Sequence, residues 1–389
     1  MKTSVTVGAL VFVIAFSYTF MMMHFVPETK VAFLKENLSR LASQQASVVE
    51  ASHDGQKPEE VPHTISEVIE VKPESVYVPA KMKWSLATSS AEWKPRDAAA
   101  SFVFNDKMWI MGGLNGNGVR TNSENAVHYW EATHFNDIWS SEDGIKWNKE
   151  TAHAEWSQRR SMSVVNFNGK LWMFGGWSPI SGYTSDIWSS NDGVHWERAV
   201  ALAPWASREG QTVEVFNGKI WLMGGVNYDE RSVKNDVWYS EDGTTWYEST
   251  ESAPWSARWD HATAVFNGRI FLIGGMDLSK KSFNDVWATA DGIKWELVTD
   301  APEWQTRQGH GLVVFKDALW IIGRLNDAEG GGTNDVWYTL NGLTWGKTEK
   351  DPEWLGREDH AVLAFKEYIY VFAGMDSKWK WMNDVWRLE

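Results

Sequence analysis

Between Trp84 and Glu389 the chain is built from short apolar runs rich in Val, Ile, Phe and Trp, each bounded by Gly, Asn, Asp or Ser. Runs of that length and composition, punctuated by turn residues, predict strands rather than helices. They come in fours, here called a to d, and the set of four recurs six times with a period of about fifty residues. A Trp-x-x-Arg element opens each copy, at Trp93/Arg96, Trp156/Arg159, Trp205/Arg208, Trp255/Arg258, Trp304/Arg307 and Trp354/Arg357. An Asp-Val/Ile-Trp element marks strand c, at Trp139, Trp188, Trp238, Trp287, Trp337 and Trp386. Successive arginines stand 63, 49, 50, 49 and 50 residues apart, so only the first copy carries an insertion. A unit repeated without a break in this way buries its apolar face against its neighbours, as in a propeller or solenoid.

Turn chemistry orders the strands. Asn-Gly stands between a and b (Asn168-Gly169, Asn217-Gly218, Asn267-Gly268), and Asp-Gly or Asn-Gly between c and d (Asp143-Gly144, Asp192-Gly193, Asp242-Gly243, Asp291-Gly292, Asn341-Gly342). Both pairs make tight hairpins because their residues tolerate positive φ. Up-down alternation puts these hairpins on one face and the longer b–c and d–a connections on the other. The last copy ends after strand c, at Trp386, whereas Trp84 matches the strand d tryptophans Trp147, Trp196, Trp246, Trp295 and Trp345. The predicted fold is therefore all-β, a six-bladed propeller whose last blade is completed by the N-terminal strand, which removes the open edge.

With the opening arginine, the histidine three residues later in copies four to six (His261, His310, His360), the Gly-Gly that ends strand b (Gly112-Gly113, Gly175-Gly176, Gly224-Gly225, Gly274-Gly275) and the aromatic residue of strand d, the chain resembles the kelch repeat family over residues 80–389. The c–d turn, for example Ser141 to Trp147, also looks like a shortened Asp-box. In both families this turn is a folding device. The resemblance implies the fold and leaves function open, since kelch propellers serve as enzymes, adhesins and adaptors.

Residues 1–80 read differently. A segment at 5–26 is apolar apart from a few hydroxyl groups and His24, long enough to cross a bilayer core. An uncleaved signal-anchor and a cleaved secretory signal both fit, and the length of the run favours the anchor. Lys2 and the amino terminus favour the short end, residues 1–4, inside and the propeller outside, periplasmic or lumenal. Val31, Leu34, Leu38, Leu41 and Val48 recur at three- and four-residue spacing. A lone amphipathic helix or a short coiled-coil stalk would follow, the latter giving an oligomer. Four prolines among carboxylates between Glu50 and Ala80 make an extended linker before the propeller at 81–389.

Composition removes several classes of function. A net charge of −14 excludes nucleic acid as a partner of the propeller. The chain has no cysteine, so disulfides, thiolate metal sites and the copper radical chemistry of related oxidases are absent. No cofactor is expected.

Twenty-two of the 27 tryptophans occupy repeat positions and are expected in the core. The remaining five, Trp130, Trp177, Trp259, Trp379 and Trp381, fall in b–c or d–a segments on the long-loop face. They are candidates for a glycan or peptide platform, against the alternative that they pack loops onto the rim. The six arginines Arg96, Arg159, Arg208, Arg258, Arg307 and Arg357 are expected around the channel mouth, compensated in part by Asn115, Asn227, Asp277, Asn326 and Asp376. Their alternative role is to bind a sugar-acid carboxylate in a bidentate fork. Beside them the copies diverge, and Glu209, Asp260, Glu358 and Asp359 would supply carboxylates for acid/base work, with the three histidines behind. Arg324 interrupts the Gly-Gly rule in copy five and would project a cation. The first-copy insertion, 115–135, holds His128, Glu131 and His134, which match no standard metal-ligand spacing; a lid or recognition loop is the preferred reading.

The leading functional expectation is a membrane-tethered, extracytoplasmic propeller that binds a glycan or protein through its long-loop face. The alternative, implied by resemblance to the six-bladed kelch epimerase of N-acetylneuraminate, is a sugar-acid epimerase whose catalytic set would be Glu209, Asp260 and Asp359. A sialidase would need a tyrosine nucleophile at the mouth, and the repeat places none there.

Overall fold

A computed structural model describes residues 79–117, 129–326 and 331–389, with the side chains of residues 325, 326 and 331 excepted. The apolar segment at 5–26, the amphipathic stretch after it and most of the linker lie outside the described residues. Among the described residues no helix is long and apolar enough to cross a membrane.

Six four-stranded antiparallel sheets form the blades. In the third, strands Thr212–Phe216, Lys219–Met223, Val237–Ser240 and Trp246–Thr250 follow one another outward from the axis. Strand b is the most buried in every blade; Ile220, Leu222 and Met223 have no exposure at all. The ring closes as expected: Trp84–Thr88 pairs with Val385–Leu388 of blade six, Trp84 opposite Leu388. Lys83 and Glu389 extend the pairing with reciprocal backbone bonds of 2.9 and 3.0 Å.

Each opening arginine is buried, between 0 and 2 % exposed, and holds its blade together from inside. Arg208 is representative. Its Nη1 and Nη2 donate to both oxygens of Asp236 at 2.5 and 2.8 Å, Nη1 also donates to the Gly224 carbonyl at 2.9 Å, and Nε donates to the Ala206 carbonyl at 2.9 Å. The indole of Trp238 donates to the same Asp236 carboxylate at 2.9 Å. Thus one guanidinium joins the start of strand a, the end of strand b and the start of strand c. Burial alone would raise the carboxyls of Asp137, Asp186 and Asp384, but the arginine fork and the indole N–H outweigh it and hold them below the usual range. The polar residue after strand b, expected to compensate the arginine, does not do so at the four positions described; the side chain of Asn326 lies outside the described residues. Asn115 and Asn227 instead donate to the carbonyls of Pro95 and Ser207, while Asp277 and Asp376 accept bonds from their own loops.

Neighbouring blades are joined by two glycines with separate tasks. The glycine two residues beyond strand b adopts φ of 86 to 105° (Gly113, Gly176, Gly225, Gly275, Gly374), a region closed to other residues. Its N–H donates to the carbonyl of the next blade's buried arginine at 2.8 to 3.0 Å. Blade five has Arg324 at this position and cannot make the bend, so its strands run on as the long hairpin Ala318–Asn326 and Gly331–Thr339. Arg307 in the same blade keeps only single long contacts, 3.1 Å to Asp335 and 3.2 Å to the Gly323 carbonyl. The other glycine, in the c–d turn, seats the strand b aromatic of the preceding blade: a Cβ on Gly243 would lie 2.6 Å from Trp172, and one on Gly292 2.4 Å from Trp221. Within five blades the Trp of Trp-x-x-Arg meets the strand d Trp edge to face, centroids 4.5 to 5.9 Å apart.

Removing a guanidinium from this arrangement strands a half-buried aspartate. Arg208→Met is expected to lower stability by about 3–5 kcal/mol in urea unfolding. Arg307→Met, whose fork is already loosened, should cost clearly less; equal losses would show that the fork geometry is not what matters.

Candidate functional site

Two residues beyond each buried arginine the backbone turns left-handed, with φ of 47 to 64° at Ala98, Ser161, Gly210, Asp260, Gly309 and Asp359. These six residues surround the axis where strand a begins. Five consecutive links join them: Ala98 N–H to Asp359 O, Ser161 to Ala98, Gly210 to Ser161, Gly309 to Asp260 and Asp359 to Gly309, at 2.8 to 3.3 Å. The repeat thus builds a collar of backbone around the channel mouth. Two aspartates fit in it because glycines precede them: a Cβ on Gly309 would stand 2.8 Å from Asp359 Oδ1, and one on Gly210 3.2 Å from Asp260 Oδ1.

Below the collar lies an axial cavity of about 170 Å³, lined among others by Gln211, Asp260, His261, His310, Asp359 and His360. Gln211 donates its amide to the Phe174 carbonyl at 3.0 Å, which leaves Oε1, itself without a hydrogen-bond partner among the described residues, as an acceptor. Burial and the adjacent buried arginines keep the histidines neutral, His261 and His360 lowered to about 3 and His310 well below its ordinary value. Thr212 Oγ1 meets His261 Nε2 at 2.9 Å and His360 Nε2 meets the Ile322 carbonyl at 3.1 Å, whereas neither ring nitrogen of His310 has a partner among the described residues. Further along the axis, burial pushes Glu214 up to about 7 while it accepts a 2.8 Å bond from Thr263.

A second tier stands above the collar, formed by the residue directly after each buried arginine: Asp97, Arg160, Glu209, Trp259, Gln308 and Glu358. Arg160 Nε and Nη2 hold both oxygens of Glu209 at 2.9 and 3.1 Å. Its guanidinium lies 4.8 Å from the Trp177 ring centroid and 5.1 Å from that of Tyr129. The carboxylates form one electrostatic group. Burial and then the charge of Asp359 raise Asp97 well above its usual value; burial and then Asp359, Glu358 and Glu209 do the same to Asp260. Asp359 is raised to about 6 by burial and by Glu209. The charge of Arg160 works against the rise at Asp97, Asp260 and Asp359, but Arg160 is itself tied to Glu209.

The structure redistributes the residues singled out by sequence. The six ring arginines point into the blades, and their forks are occupied by the chain's own aspartates, so they do not present a carboxylate site at the mouth. Arg324 is 3 % exposed and folds back onto the Thr306 carbonyl at 2.9 Å, Thr333 Oγ1 at 3.1 Å and the Gln305 side chain; it does not project. Trp381 is 2 % exposed and packs with Leu114, Ala132 and Met375 between blades six and one. Trp379 is half-buried against Tyr129, Trp259 half-buried against Tyr228, and Trp130 is 64 % exposed. Trp177 is half-buried with its ring 5.1 Å from His134. His134 bonds the Ala132 carbonyl, Glu131 is exposed, and His128 is outside the described residues; among the described residues no group of His, Asp and Glu could hold a metal. Tyr129, just past residues 118–128, brings the first-blade insertion to Arg160.

Glu209, Asp260, Glu358 and Asp359 do come together, as expected. Sequence reasoning missed Asp97 and Arg160, although both occupy the divergent positions it flagged. It also missed Gln211, which stands where three other copies have histidine. Tyr129, Tyr183 and Tyr228 reach the mouth from loops whose course the repeat does not define; burial and nearby carboxylates raise all three phenols.

Comparison with known proteins supports the architecture. Residues 74–275 and 210–389 match the sequence profile of the KLHDC2/KLHL20/DRC7 Kelch-repeats domain. The solved structure of YjhT is similar at a TM-score of 0.61, with 17% identity over 77% of this chain and 96% of that one, a likeness in fold. No curated protein matches the sequence.

Carboxyls raised above their unfolded values stabilise the protein below about pH 4, and this contribution is lost as pH rises through their folded pKa, about 6 for Asp359. Asp260→Asn and Asp359→Asn are therefore expected to raise the thermal midpoint at pH 7.5 by about 2–5 °C. The gain should shrink toward pH 4; a loss of stability at pH 7.5 would refute the assignment of like-charge strain to the mouth.

Proposed function

Because the chain belongs to the Kelch-repeat family, whose propellers carry function on sites grafted onto a common scaffold, we propose that this one is a binding module whose glycan or peptide ligand enters the axial mouth on the long-loop face. The observation that carries this reading is the separation of tasks among polar groups. Repeated charges are consumed by the fold, while those that differ between copies converge on one concave, aromatic-walled place. Trp177 and Trp259 flank it, and a flat half-buried ring stacks on a sugar face or a peptide chain at little entropic cost. The apolar segment at 5–26 supports tethering of the propeller to a membrane, with the propeller extracytoplasmic.

A sugar-acid epimerase is the second reading, favoured by Asp359, whose pKa of about 6 suits proton transfer near neutrality beside neutral His310. Against it, the guanidinium forks that would take the substrate carboxylate are filled.

The test is a glycan and peptide array probed with the full-length protein in detergent. Binding is expected, weakened about tenfold or more by Trp177→Ala at little cost in thermal midpoint. Epimerisation of an acidic sugar, lost in Asp359→Asn, would replace the binding reading with the enzymatic one. For the tether, the full chain should stay with membranes through a high-salt wash and a chain lacking 1–78 should not.

A further inference from the structure

The chemistry of the mouth is one-sided. Four carboxylates, Asp97, Glu209, Asp260 and Asp359, share the Arg160 guanidinium, and that guanidinium is already paired with Glu209. Beneath them the cavity offers further acceptors held in place by the fold. Gln211 is 4 % exposed, and its amide is fixed by Phe174 so that Oε1 is the atom left over. His310 is 7 % exposed, lines the cavity, and has neither ring nitrogen satisfied by the described residues. One oxygen of Asp97, in a residue 3 % exposed, is also unsatisfied; the Trp381 indole N–H lies near enough to lower its pKa somewhat, but neither atom has a partner in hydrogen-bonding geometry. Buried polar atoms are normally paired, so Gln211 Oε1 and His310, both without a partner among the described residues and both lining one cavity, mark a place that a donor completes. Like charges held together there also need an opposite charge, which no described residue provides in full.

Resting on the reading that the mouth is the ligand site, we infer that the group it takes is a protonated primary amine on a slender arm. The ammonium would enter the collar between Asp260 and Asp359 and reach toward Gln211 Oε1 and His310. Three donors and a positive charge in a compact head match this set of acceptors. A cavity of about 170 Å³ admits that head and the end of its alkyl or sugar arm, while the remainder of the ligand lies outside between Trp177 and Trp259. A carboxylate-bearing ligand is repelled by the same charges. Lysine side chains and amino sugars share this chemistry.

The experiment titrates the full-length protein with two matched pairs while following tryptophan fluorescence and heat: glucosamine against N-acetylglucosamine, and Nα-acetyl-lysine amide against its Nε-acetylated form. We expect the amine of at least one pair to bind about tenfold or more tighter than its neutral partner, and the preference to fall in Asp260→Asn and Asp359→Asn, which remain folded. Which pair responds identifies the source. Equal affinities within a pair, still dependent on Trp177, would overturn the amine and leave the binding module standing. No binding of any probe, alongside a positive array hit of other chemistry, would overturn the amine as well; an array without hits would overturn the binding reading itself.

Discussion

A buried guanidinium clamped to a largely buried carboxylate is the interaction on which this propeller depends. Six times over, an arginine with no more than 2 % exposure reaches an aspartate at the head of strand c. Two charges removed from water are costly unless their remaining donors and acceptors are satisfied; in five blades carbonyls beside strands a and b and an indole N–H do so, while in blade five Arg307 Nε has no partner among the described residues. The same fork that ties the three inner strands also fixes the backbone just after the arginine. The left-handed collar at the mouth is therefore set by a contact in the blade interior.

That coupling explains how one scaffold can be both repetitive and specific. Inside the fork the blades are nearly uniform, blade five apart, because each must present a carbonyl to its neighbour's glycine and an aromatic ring to its neighbour's turn. Outside it, the two residues that follow the arginine have a fixed backbone and free side chains. Evolution of function in such a frame is a matter of which six pairs stand there. In this chain four of the six bring carboxylates, and the penalty of holding them together is borne by the rest of the ring.

The fold was legible because its determinants are local and repeated six times: apolar runs, Asn-Gly and Asp-Gly turns, and the unmatched strand at Trp84 that pairs with Leu388. The site was legible in part. Glu209, Asp260 and Asp359 were found by asking where copies differ. The arginines were misplaced because their partner, the aspartate before each strand c, is itself invariant and reads as part of a strand motif. Trp381 was misread because spacing cannot tell an indole stacked under a loop from one on top of it. Tyr129, Tyr183 and Tyr228 were invisible for a related reason: their positions depend on loop paths that no periodicity constrains.

Closure by the N-terminal strand has a further consequence, for biosynthesis. Trp84 and its partner Leu388 are about three hundred residues apart in the chain, so the fourth strand of blade six is made long before the three strands it joins, and waits for them. Until then Trp84–Thr88 has no neighbour in its sheet, the apolar cluster between blades five and six, in which Trp320, Ile369 and Leu388 gather around Met82 and Trp84, is incomplete, and blade six is open on the side where its fourth strand belongs. Blades one to five can form as they leave the ribosome, since each is continuous in sequence. The ring cannot close before Val385–Leu388 has been made, and until then the nascent protein carries an unpaired apolar edge.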